Sequence, residues 1–321
     1  MPLPRAEVDC REAGPGRRDP GRDTPFSSSP GWPVEGERDR LGRVLLGDRS
    51  ARCRPSPPYR PALAPPPRRS PPMSAPPRVV CTVPTYNEAE NIEALTDALL
   101  DLGPNFQVLV IDDHSPDGTW ELVQARSERD ERVHLLHRTE DKGRGRSGRD
   151  GFVRALELGA DVVIEMDADF SHHPRFIPAL IERLGQADKK TGKPIGLVLG
   201  SRAVSGGSDG DRGFLRQVIT KAANLYIRIL LGVSVKDCNS GFRCWAANTL
   251  RAIEVERTFS PGPAIVQELL FKTARAGVPV DEVGIEFIDR VRGESTLTMK
   301  ILLQGYTTVL KLRWMALTGR L

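Results

Sequence analysis

Hydrophobic and polar positions between residues 78 and 200 alternate between short apolar runs and longer amphipathic stretches. Residues 106–111 read FQVLVI, a continuous apolar run typical of a strand buried on both faces of a sheet. Across residues 87–102, Ile92, Leu95 and Leu99 recur at helical spacing, which predicts an amphipathic helix. Further strands are predicted at residues 78–83, 133–136, 161–166 and 196–200, and further helices at residues 119–129, 149–158 and 175–186. This alternation predicts an α/β fold, with a mostly parallel sheet covered by helices on both faces.

Polar clusters follow three of these strands, at the point where each strand ends. They are residues 84–88 (PTYNE), 112–119 (DDHSPDGT) and 167–174 (DADFSHHP). The carboxyl ends of parallel strands share one edge of the sheet, and ligands of open α/β sheets bind there. Because carboxylates that converge at one place repel one another, folding alone does not explain acidic loops at this edge. A bound divalent cation would relieve that repulsion.

The third cluster carries the pattern that most resembles a metal site. Asp167 and Asp169 are two residues apart at a strand end, so an extended backbone points both side chains the same way. Two carboxylates without His or Cys ligands at zinc spacing suit Mg²⁺ or Mn²⁺, which complete their coordination with water and substrate phosphates. The alternative is that Asp169 or Ser171 caps the helix predicted to begin near Pro174.

The second cluster has two interpretations. Asp112 and Asp113 could belong to a turn in which Asp117 and Gly118 form the tight step. Alternatively, one of the two carboxylates accepts hydrogen bonds from a nucleobase or a ribose.

The first cluster also has two interpretations. Tyr86 could stack on a base, or it could be an ordinary core aromatic. Thr85 or Asn87 could cap the first helix, which would place Glu88 in its first turn, where the helix dipole favours an acidic residue.

Composition separates residues 1–77 from the rest of the 321-residue chain. This segment holds 18 of the 27 prolines, 14 arginines, no lysine and nine acidic residues, a formal charge of +5. The remainder therefore carries −1, although the whole chain carries +4. Low apolar content predicts that residues 1–77 form a disordered tail. The tail could be an arm without a specific role, an extension upstream of a true start at Met73, or an arginine-rich contact with anionic membrane.

Several classes of protein are disfavoured by the same counts. A near-neutral body argues against a nucleic-acid-binding protein, which needs a basic patch on a folded surface. No uncharged apolar run reaches the roughly 18–20 residues of a membrane span, and no secretory signal begins the chain. Five cysteines without metal-ligand spacing argue against a disulfide framework or a zinc site, and they fit a cytosolic protein.

The three clusters resemble the motifs of family 2 glycosyltransferases with the GT-A fold. Within that family, the Ser-His-His-Pro of residues 171–174 is most similar to the polyprenyl (dolichol) phosphate mannosyltransferases. Further matching elements follow in the same order, across about residues 78–310. They are residues 143–151, residues 200–202 (GSR), Asn224, residues 237–243 (DCNSGFR), residues 267–268 (QE) and residues 289–295 (DRVRGES).

The resemblance implies transfer of mannose from GDP-mannose to a polyprenyl (dolichyl) phosphate. The residues it assigns to the nucleoside are Pro84, Tyr86, Glu88 and Asp113, with Ile111 packed beside the base. The residues it assigns to the metal and the donor diphosphate are Asp167 and Asp169, with Ala168 at the donor and Ser171 as a third metal contact. Contacts with the diphosphate or the acceptor phosphate are assigned to Arg202 and Arg290, which together with Asp169 are expected to act in catalysis.

The chemistry of this acceptor predicts an inverting reaction without a general base. A phosphate monoester has a second pKa near 6, so it is largely dianionic and already nucleophilic at neutral pH. His172 and His173 are therefore expected to lie beside the metal or at the helix start instead of acting as bases. A single displacement would convert an α-linked donor into a β-linked lipid phosphate mannose.

One position departs from the family pattern. The family usually has lysine after Gly-x-Ser, whereas this chain has Thr296, and Lys300 is the nearest substitute for the missing charge. The departure keeps open a donor such as UDP-glucose on the same fold. A non-catalytic nucleotide-sugar-binding protein is an alternative of another class, although Asp167, Asp169 and Arg202 are intact.

The expected organisation is a tail at residues 1–77, a glycosyltransferase domain at 78–296 and a C-terminal amphipathic segment at 297–321. Residues 214–231 and 297–321 combine apolar side chains with cationic ones, the pattern of helices that lie in a membrane interface. The alternative is ordinary packing against the body. These segments predict a peripheral enzyme at the cytoplasmic face of a membrane, with a membrane-anchoring protein as a candidate partner and no nucleic acid.

Overall fold

The computed structural model describes residues 76–208, 210, 214–287 and 299–319. The predicted tail lies outside the described residues except for positions 76 and 77. The segment 288–298, which contains Arg290 and Thr296, also lies outside them. Of the five cysteines, Cys81, Cys238 and Cys244 are described, and all three are buried free thiols.

The described residues form a seven-stranded sheet whose strand order is β3-β2-β1-β4-β6-β5-β7. The strands are β1 (Val79–Thr85), β2 (Phe106–Asp112), β3 (Val133–His137), β4 (Val162–Glu165), β5 (Leu197–Ser201), β6 (Arg243–Ala246) and β7 (Val280–Gly284). Only β6 is antiparallel, to both β4 and β5, so the prediction of a mostly parallel sheet is confirmed.

Helices cover both faces of this sheet. They are α1 (Ile92–Leu100), α2 (Thr119–Ser127), α3 (Arg144–Glu157), α4 (Ile177–Arg183), α5 (Phe214–Leu231), α6 (Ala247–Ala252), α7 (Ile265–Arg275) and α8 (Met299–Leu317). Alternate residues of β1 enter different cores, because side chains of a strand alternate between its faces. Val79 and Cys81 pack with α1, α2 and α4, whereas Val80 packs with α3, α5, α7 and α8.

The first helix begins at Ile92, five residues later than predicted, because the preceding loop is tied to the loop after β2. Asn87 adopts a left-handed backbone with a φ of 60°. The backbone N–H groups of Asn87, Glu88 and Ala89 donate to the side chains of Ser115, Thr119 and Asp117, each at 3.0 Å. Neither Thr85 nor Asn87 caps the helix, and Glu88 precedes it.

The third helix begins at Arg144, five residues earlier than predicted. Glycine is a poor helix former, yet Gly145 and Gly148 lie within the first turns of α3. Gly145 is required by close packing, since a Cβ there would lie 2.1 Å from the carbonyl oxygen of Ser260.

The antiparallel strand β6 has no clear signature in the sequence because it is four residues long and begins with an arginine. Arg243 is fully buried, and its guanidinium donates to the carbonyl oxygens of Ser240, Val266 and Cys238 at 2.8, 2.6 and 3.2 Å. These three bonds explain how a charged side chain is accommodated in a central strand.

Candidate active site

The three polar clusters predicted from the sequence follow β1, β2 and β4, which are adjacent and parallel in the sheet. Their loops therefore lie side by side at one edge. Gly143 and Arg144, at the start of α3, connect these loops. The N–H of Gly143 donates to Asp113 at 2.6 Å, and Arg144 Nη2 lies 3.4 Å from Asp167 Oδ1.

Asp112 and Asp113 have different roles although they are neighbours in sequence. Asp112 is fully buried and holds its own turn, because it accepts from Thr85 Oγ1 at 2.7 Å and from the N–H and hydroxyl of Ser115 at 2.8 and 2.6 Å. Asp113 accepts instead from Gly143 and forms an ion pair with Arg138. The turn interpretation therefore applies to Asp112, and Asp113 is the carboxylate that links separate loops.

Arg138 is a site residue that the sequence analysis missed. Its side chain is 6% exposed, lies 3.1 Å from Asp150 through Nε and donates to the carbonyl oxygen of Asp141 at 2.7 Å. Its position directly after β3, at the same edge as the acidic loops, is the signal that could have identified it.

The nucleoside residues expected from the first cluster lie at the surface of the same edge. Tyr86 is 59% exposed, so it is not a core aromatic. Pro84 is half-buried, and Glu88 Oε2 accepts from Asn91 Nδ2 at 2.9 Å. Ile111 is fully buried, and its Cδ1 would lie 2.8 Å from a Cβ on Gly151, which places its side chain in the core.

The loop after β4 carries Asp167, Asp169 and Ser171. The Asp167 side chain is 37% exposed, whereas Asp169 and Ser171 are buried, as is Ala168 between the two acids. The N–H of Ser171 donates to Asp169 Oδ1 at 3.1 Å, and Phe170 between them has a φ of 59°. A bulky residue in the left-handed region is rare and strained, and such strain concentrates at functional sites.

The capping alternative for this loop is not what the structure shows. The side chain of His173 accepts from the N–H of Arg175 at 3.1 Å and caps the short 3₁₀ turn Pro174–Phe176. The N-cap residue of this turn is therefore His173, and Asp169 and Ser171 precede it in the loop.

His172 packs against Phe242 and holds the loop that carries Asp167. It stacks on Phe242 with ring centroids 5.1 Å apart, and its Nδ1 accepts the N–H of Asp167 at 3.1 Å. Burial lowers the pKa of His172, which keeps the ring neutral. With Nδ1 accepting, the proton of the neutral ring is assigned to Nε2.

Arg202, expected to contact phosphate, is held by Asp237. Its Nε and Nη2 donate to the two carboxylate oxygens at 2.8 and 2.9 Å, and its guanidinium lies 5.3 Å from the ring centre of Phe287. Burial alone would raise the pKa of Asp237, but the hydrogen bonds and charge of Arg202 outweigh it and lower that pKa. Asp237 therefore holds the Arg202 side chain in one orientation at the carboxyl edge of the sheet.

Other residues of the resemblance have structural roles. Ser240 Oγ donates to the carbonyl oxygen of Gly200 at 2.6 Å, and Glu268 accepts the N–H of Ser260 at 2.9 Å. Asn239 donates to Asn224 at 3.1 Å and accepts from Gln267 at 2.8 Å, which joins α5, the 237–243 segment and α7.

The donor set of Asp167 and Asp169 fits a hard divalent cation. Within the described ranges, no group of three His, Cys, Asp or Glu side chains forms a complete protein cage for a metal. Mg²⁺ and Mn²⁺ do not need such a cage, because they bind through one or two carboxylates and take water and phosphate oxygens for the rest.

Comparison with protein families identifies the fold and the class. The sequence model of glycosyl transferase family 2 matches residues 81–244, which run from within β1 to within β6 and include the three polar loops. The chain belongs to glycosyl transferase family 2. The predicted glycosyltransferase is thereby confirmed, as is its GT-A-like fold.

Three relatives of this glycosyltransferase are named as polyprenyl- or dolichol-phosphate mannosyltransferases or as a polyprenol monophosphomannose synthase. It is 40% identical to the undecaprenyl-phosphate mannosyltransferase of Micrococcus luteus over 248 residues, covering 76% of this chain and 99% of the relative. It is 35% identical to the polyprenol monophosphomannose synthase of Mycolicibacterium smegmatis, covering 69% and 81% of the two chains. It is also 35% identical to the dolichol-phosphate mannosyltransferase of Pyrococcus furiosus, covering 74% and 64%.

A solved structure supports the architecture. Glucosyl-3-phosphoglycerate synthase from Mycobacterium tuberculosis, in complex with Mn²⁺, UDP-glucose and phosphoglyceric acid, superposes on this glycosyltransferase with a TM-score of 0.53. The two chains are 22% identical, and the match covers 74% of this chain and 80% of the synthase. At 22% identity, the structural similarity establishes that the two proteins share a fold.

Proposed function

We propose that this glycosyltransferase transfers mannose from GDP-mannose to a polyprenyl phosphate, with inversion and with Mg²⁺ or Mn²⁺. The observation that carries the proposal is the 40% identity along 99% of an undecaprenyl-phosphate mannosyltransferase. The geometry of the site supports it, because Asp113 follows β2 while Asp167 and Asp169 follow β4, the two strands that flank β1, so all three lie at one edge of the sheet.

Each half of the donor has candidate residues. Pro84, Tyr86, Glu88 and Asp113 would hold the nucleoside, with the exposed ring of Tyr86 available to stack on the base. Asp167 and Asp169 would hold the cation, with Ser171 beside them. When bound, Mg²⁺ or Mn²⁺ supplies positive charge that stabilises the leaving nucleoside diphosphate.

The arginines and the acceptor complete the mechanism. Arg202, directed by Asp237, would donate to a phosphate oxygen of the donor or the acceptor, and Arg290 is proposed for the same task. The acceptor phosphate attacks the anomeric carbon without a general base, because it is largely dianionic at neutral pH. His172 is not available as that base, since its Nδ1 accepts the N–H of Asp167.

A donor assay tests the proposal. The full-length protein is incubated with polyprenyl phosphate, Mg²⁺ or Mn²⁺, and either GDP-mannose or UDP-glucose, and lipid-linked sugar is measured. We expect β-linked mannosyl lipid from GDP-mannose only, and no product when the cation is chelated. Transfer from UDP-glucose alone would favour the alternative donor, for which Thr296 in place of lysine is the specific observation. Nucleotide-sugar binding without any transfer would indicate the non-catalytic alternative.

A polyprenyl phosphate is embedded in a bilayer, so the proposal requires a surface that reaches it. Helices α5 and α8 pack together, with the rings of Tyr226 and Tyr306 4.9 Å apart, while Val309 and Leu312 enter the core. Their outward side chains include seven exposed apolar residues, Val218, Ile219, Leu225, Ile229, Leu310, Trp314 and Leu317, which we call the apolar patch. Among the described residues, no helix has the length and the low charge that crossing a bilayer requires.

The apolar patch is proposed as a peripheral membrane contact. Ile229 is 71% exposed and Leu317 is 72% exposed, and Lys221, Lys311 and Arg313 are exposed cations on the same two helices. Apolar side chains beside cations suit the surface of an anionic bilayer.

Replacing Ile229 and Leu317 by glutamine is expected to weaken binding to mixed phosphatidylglycerol and phosphatidylcholine vesicles at least tenfold. Each buried apolar side chain contributes roughly 1.5–3 kcal/mol, and about 1.4 kcal/mol is tenfold in a binding constant. Flotation measures the bound fraction, with the exposed pair Lys189 and Lys190 replaced by glutamine as a charge-loss control. Absence of wild-type flotation would contradict the proposal, and binding lost only on removal of residues 1–72 would assign it to the tail.

A further inference from the structure

Arg144 reaches from the start of α3 to the loop that carries Asp167. Its Nη2 lies 3.4 Å from Asp167 Oδ1 and 3.4 Å from Glu165 Oε1, so one nitrogen bridges two carboxylates. We propose that Arg144 is a positioning residue that holds Asp167 in the orientation needed for the divalent cation. This inference rests on the proposed function, because it takes Asp167 as a metal ligand.

The glycines around Arg144 determine the path of its side chain. Gly145 lies against Ser260, where a Cβ would come within 2.1 Å of the carbonyl oxygen. Gly148, one turn further along α3, lies beneath the guanidinium, since a Cβ there would be 3.2 Å from Arg144 Nη1. The two glycines therefore allow the helix to approach its neighbour closely and leave room for the arginine to fold back toward β4.

The buried carboxylate of Glu165 explains why a positively charged side chain is needed beside the Asp167 loop. It is 1% exposed at the end of β4, two residues before Asp167, and its Oε2 has no hydrogen-bond partner among the described residues. Without Arg144, the buried Glu165 carboxylate would lose the cation that donates to it, and the more exposed Asp167 side chain would lose the guanidinium that fixes its orientation. Arg243 lies opposite Glu165 in the β4–β6 pair, and its charge also acts on Glu165. Its guanidinium donates to three carbonyl oxygens, however, so Arg144 is the arginine that donates to Glu165.

Arg144 also connects the two halves of the site. The preceding residue, Gly143, donates its N–H to Asp113 at 2.6 Å, on the nucleoside side. Two consecutive residues thus hold a carboxylate of the proposed nucleoside subsite and a carboxylate of the proposed metal subsite. Groups that orient a metal ligand typically change metal affinity or activity by about 10–100-fold when they are removed.

The test measures Mn²⁺ binding to the full-length protein in the presence of GDP, by the electron paramagnetic resonance signal of free Mn²⁺. We expect Arg144→Gln to weaken Mn²⁺ affinity about 10–100-fold. Arg144→Lys is expected to weaken it less, since lysine keeps the charge but not the planar fork. Gly148→Ala places a Cβ 3.2 Å from Arg144 Nη1 and 3.3 Å from Ile265 Cδ1. The guanidinium must then shift by a few tenths of an ångström, so we expect a smaller loss of Mn²⁺ affinity than in Arg144→Gln, with no change of charge.

The double variant Arg144→Gln with Glu165→Gln separates positioning from folding. Removing the charge of Glu165 should restore the melting temperature lost in Arg144→Gln, whereas Mn²⁺ affinity should stay low because the Arg144 guanidinium beside Asp167 is still missing. Full recovery of Mn²⁺ affinity in the double variant, or wild-type affinity in Arg144→Gln, would overturn the inference and leave the proposed function intact. If the wild-type protein with GDP binds no Mn²⁺ in an Asp169-dependent way, the metal role fails and the inference fails with it.

Discussion

Replacement of Asp169 by asparagine is expected to reduce glycosyl transfer at least 1,000-fold while leaving the melting temperature close to that of the wild type. Asp169 is 6% exposed, and its Oδ1 accepts the N–H of Ser171 at 3.1 Å. The amide oxygen of asparagine can accept the same hydrogen bond, so the loop is preserved and only the negative charge is lost. A cation at the reacting phosphate supplies several kcal/mol, and about 4 kcal/mol corresponds to roughly 1,000-fold in rate.

The measurement is the initial rate of lipid-linked mannose formation across a Mn²⁺ titration. Ser171→Ala serves as the matched control, because it removes the hydroxyl expected as a third metal contact and keeps the N–H that donates to Asp169. We expect this variant to retain measurable transfer with a raised requirement for Mn²⁺. Asp169→Asn with more than a tenth of wild-type activity would contradict the metal role of this loop.

Asp237→Ala is expected to lower the free energy of unfolding by about 3–5 kcal/mol, the range found when one partner of a buried ion pair is removed. Asp237 is 1% exposed and accepts three hydrogen bonds from Arg202, including one from its backbone N–H at 3.2 Å. Its loss leaves the guanidinium of Arg202, itself 13% exposed, without its main partner. Transfer activity should fall as well, because Arg202 is then no longer directed at the site.

Urea denaturation followed by circular dichroism measures this effect. Asp281→Ala is the matched control, since its ion pair with Arg183 is partly exposed, with side chains 38% and 24% accessible, and such pairs contribute about 0–1 kcal/mol. Equal losses of stability in the two variants would contradict the structural role assigned to Asp237.

The same ion pair predicts a dependence of stability on pH. Because the pKa of Asp237 is lowered in the folded protein, its contribution is complete above the unfolded value of about 3.9. It is then lost as the pH falls through the lower folded value. The wild-type protein should therefore lose more stability than Asp237→Ala when the pH is lowered below about 4, and parallel curves would contradict this assignment.

Most of the parallel sheet could be predicted because a strand such as β2 is a local pattern. Its run of apolar residues is recognisable without knowledge of its neighbours, and the boundaries differ by only one residue from the structure. The antiparallel strand β6 could not be predicted in the same way. Its stability depends on β4 and β5 on either side, and on the carbonyl group of Val266, which reaches Arg243 from α7.

The candidate site was predictable to a similar extent. Asp167, Asp169 and Asp113 follow strands and could be located from that fact alone. Arg138 was not identified, and Arg144 was noted only as part of the matching element 143–151, because the role of a single arginine depends on which carboxylate it contacts. Asp113 meets Arg138 25 residues away in sequence, and Asp167 meets Arg144 23 residues away.

The amino-acid sequence by itself determined the class of fold, the family and the three polar loops, because strand periodicity and the residues that follow each strand are local properties. Only the tertiary structure decided how the acidic residues are used. Asp112 and Asp113 are chemically identical neighbours, yet one holds a turn and the other links β2 to α3. That difference arises because adjacent side chains point in different directions, and the order β2-β1-β4 with α3 across it determines what each one meets.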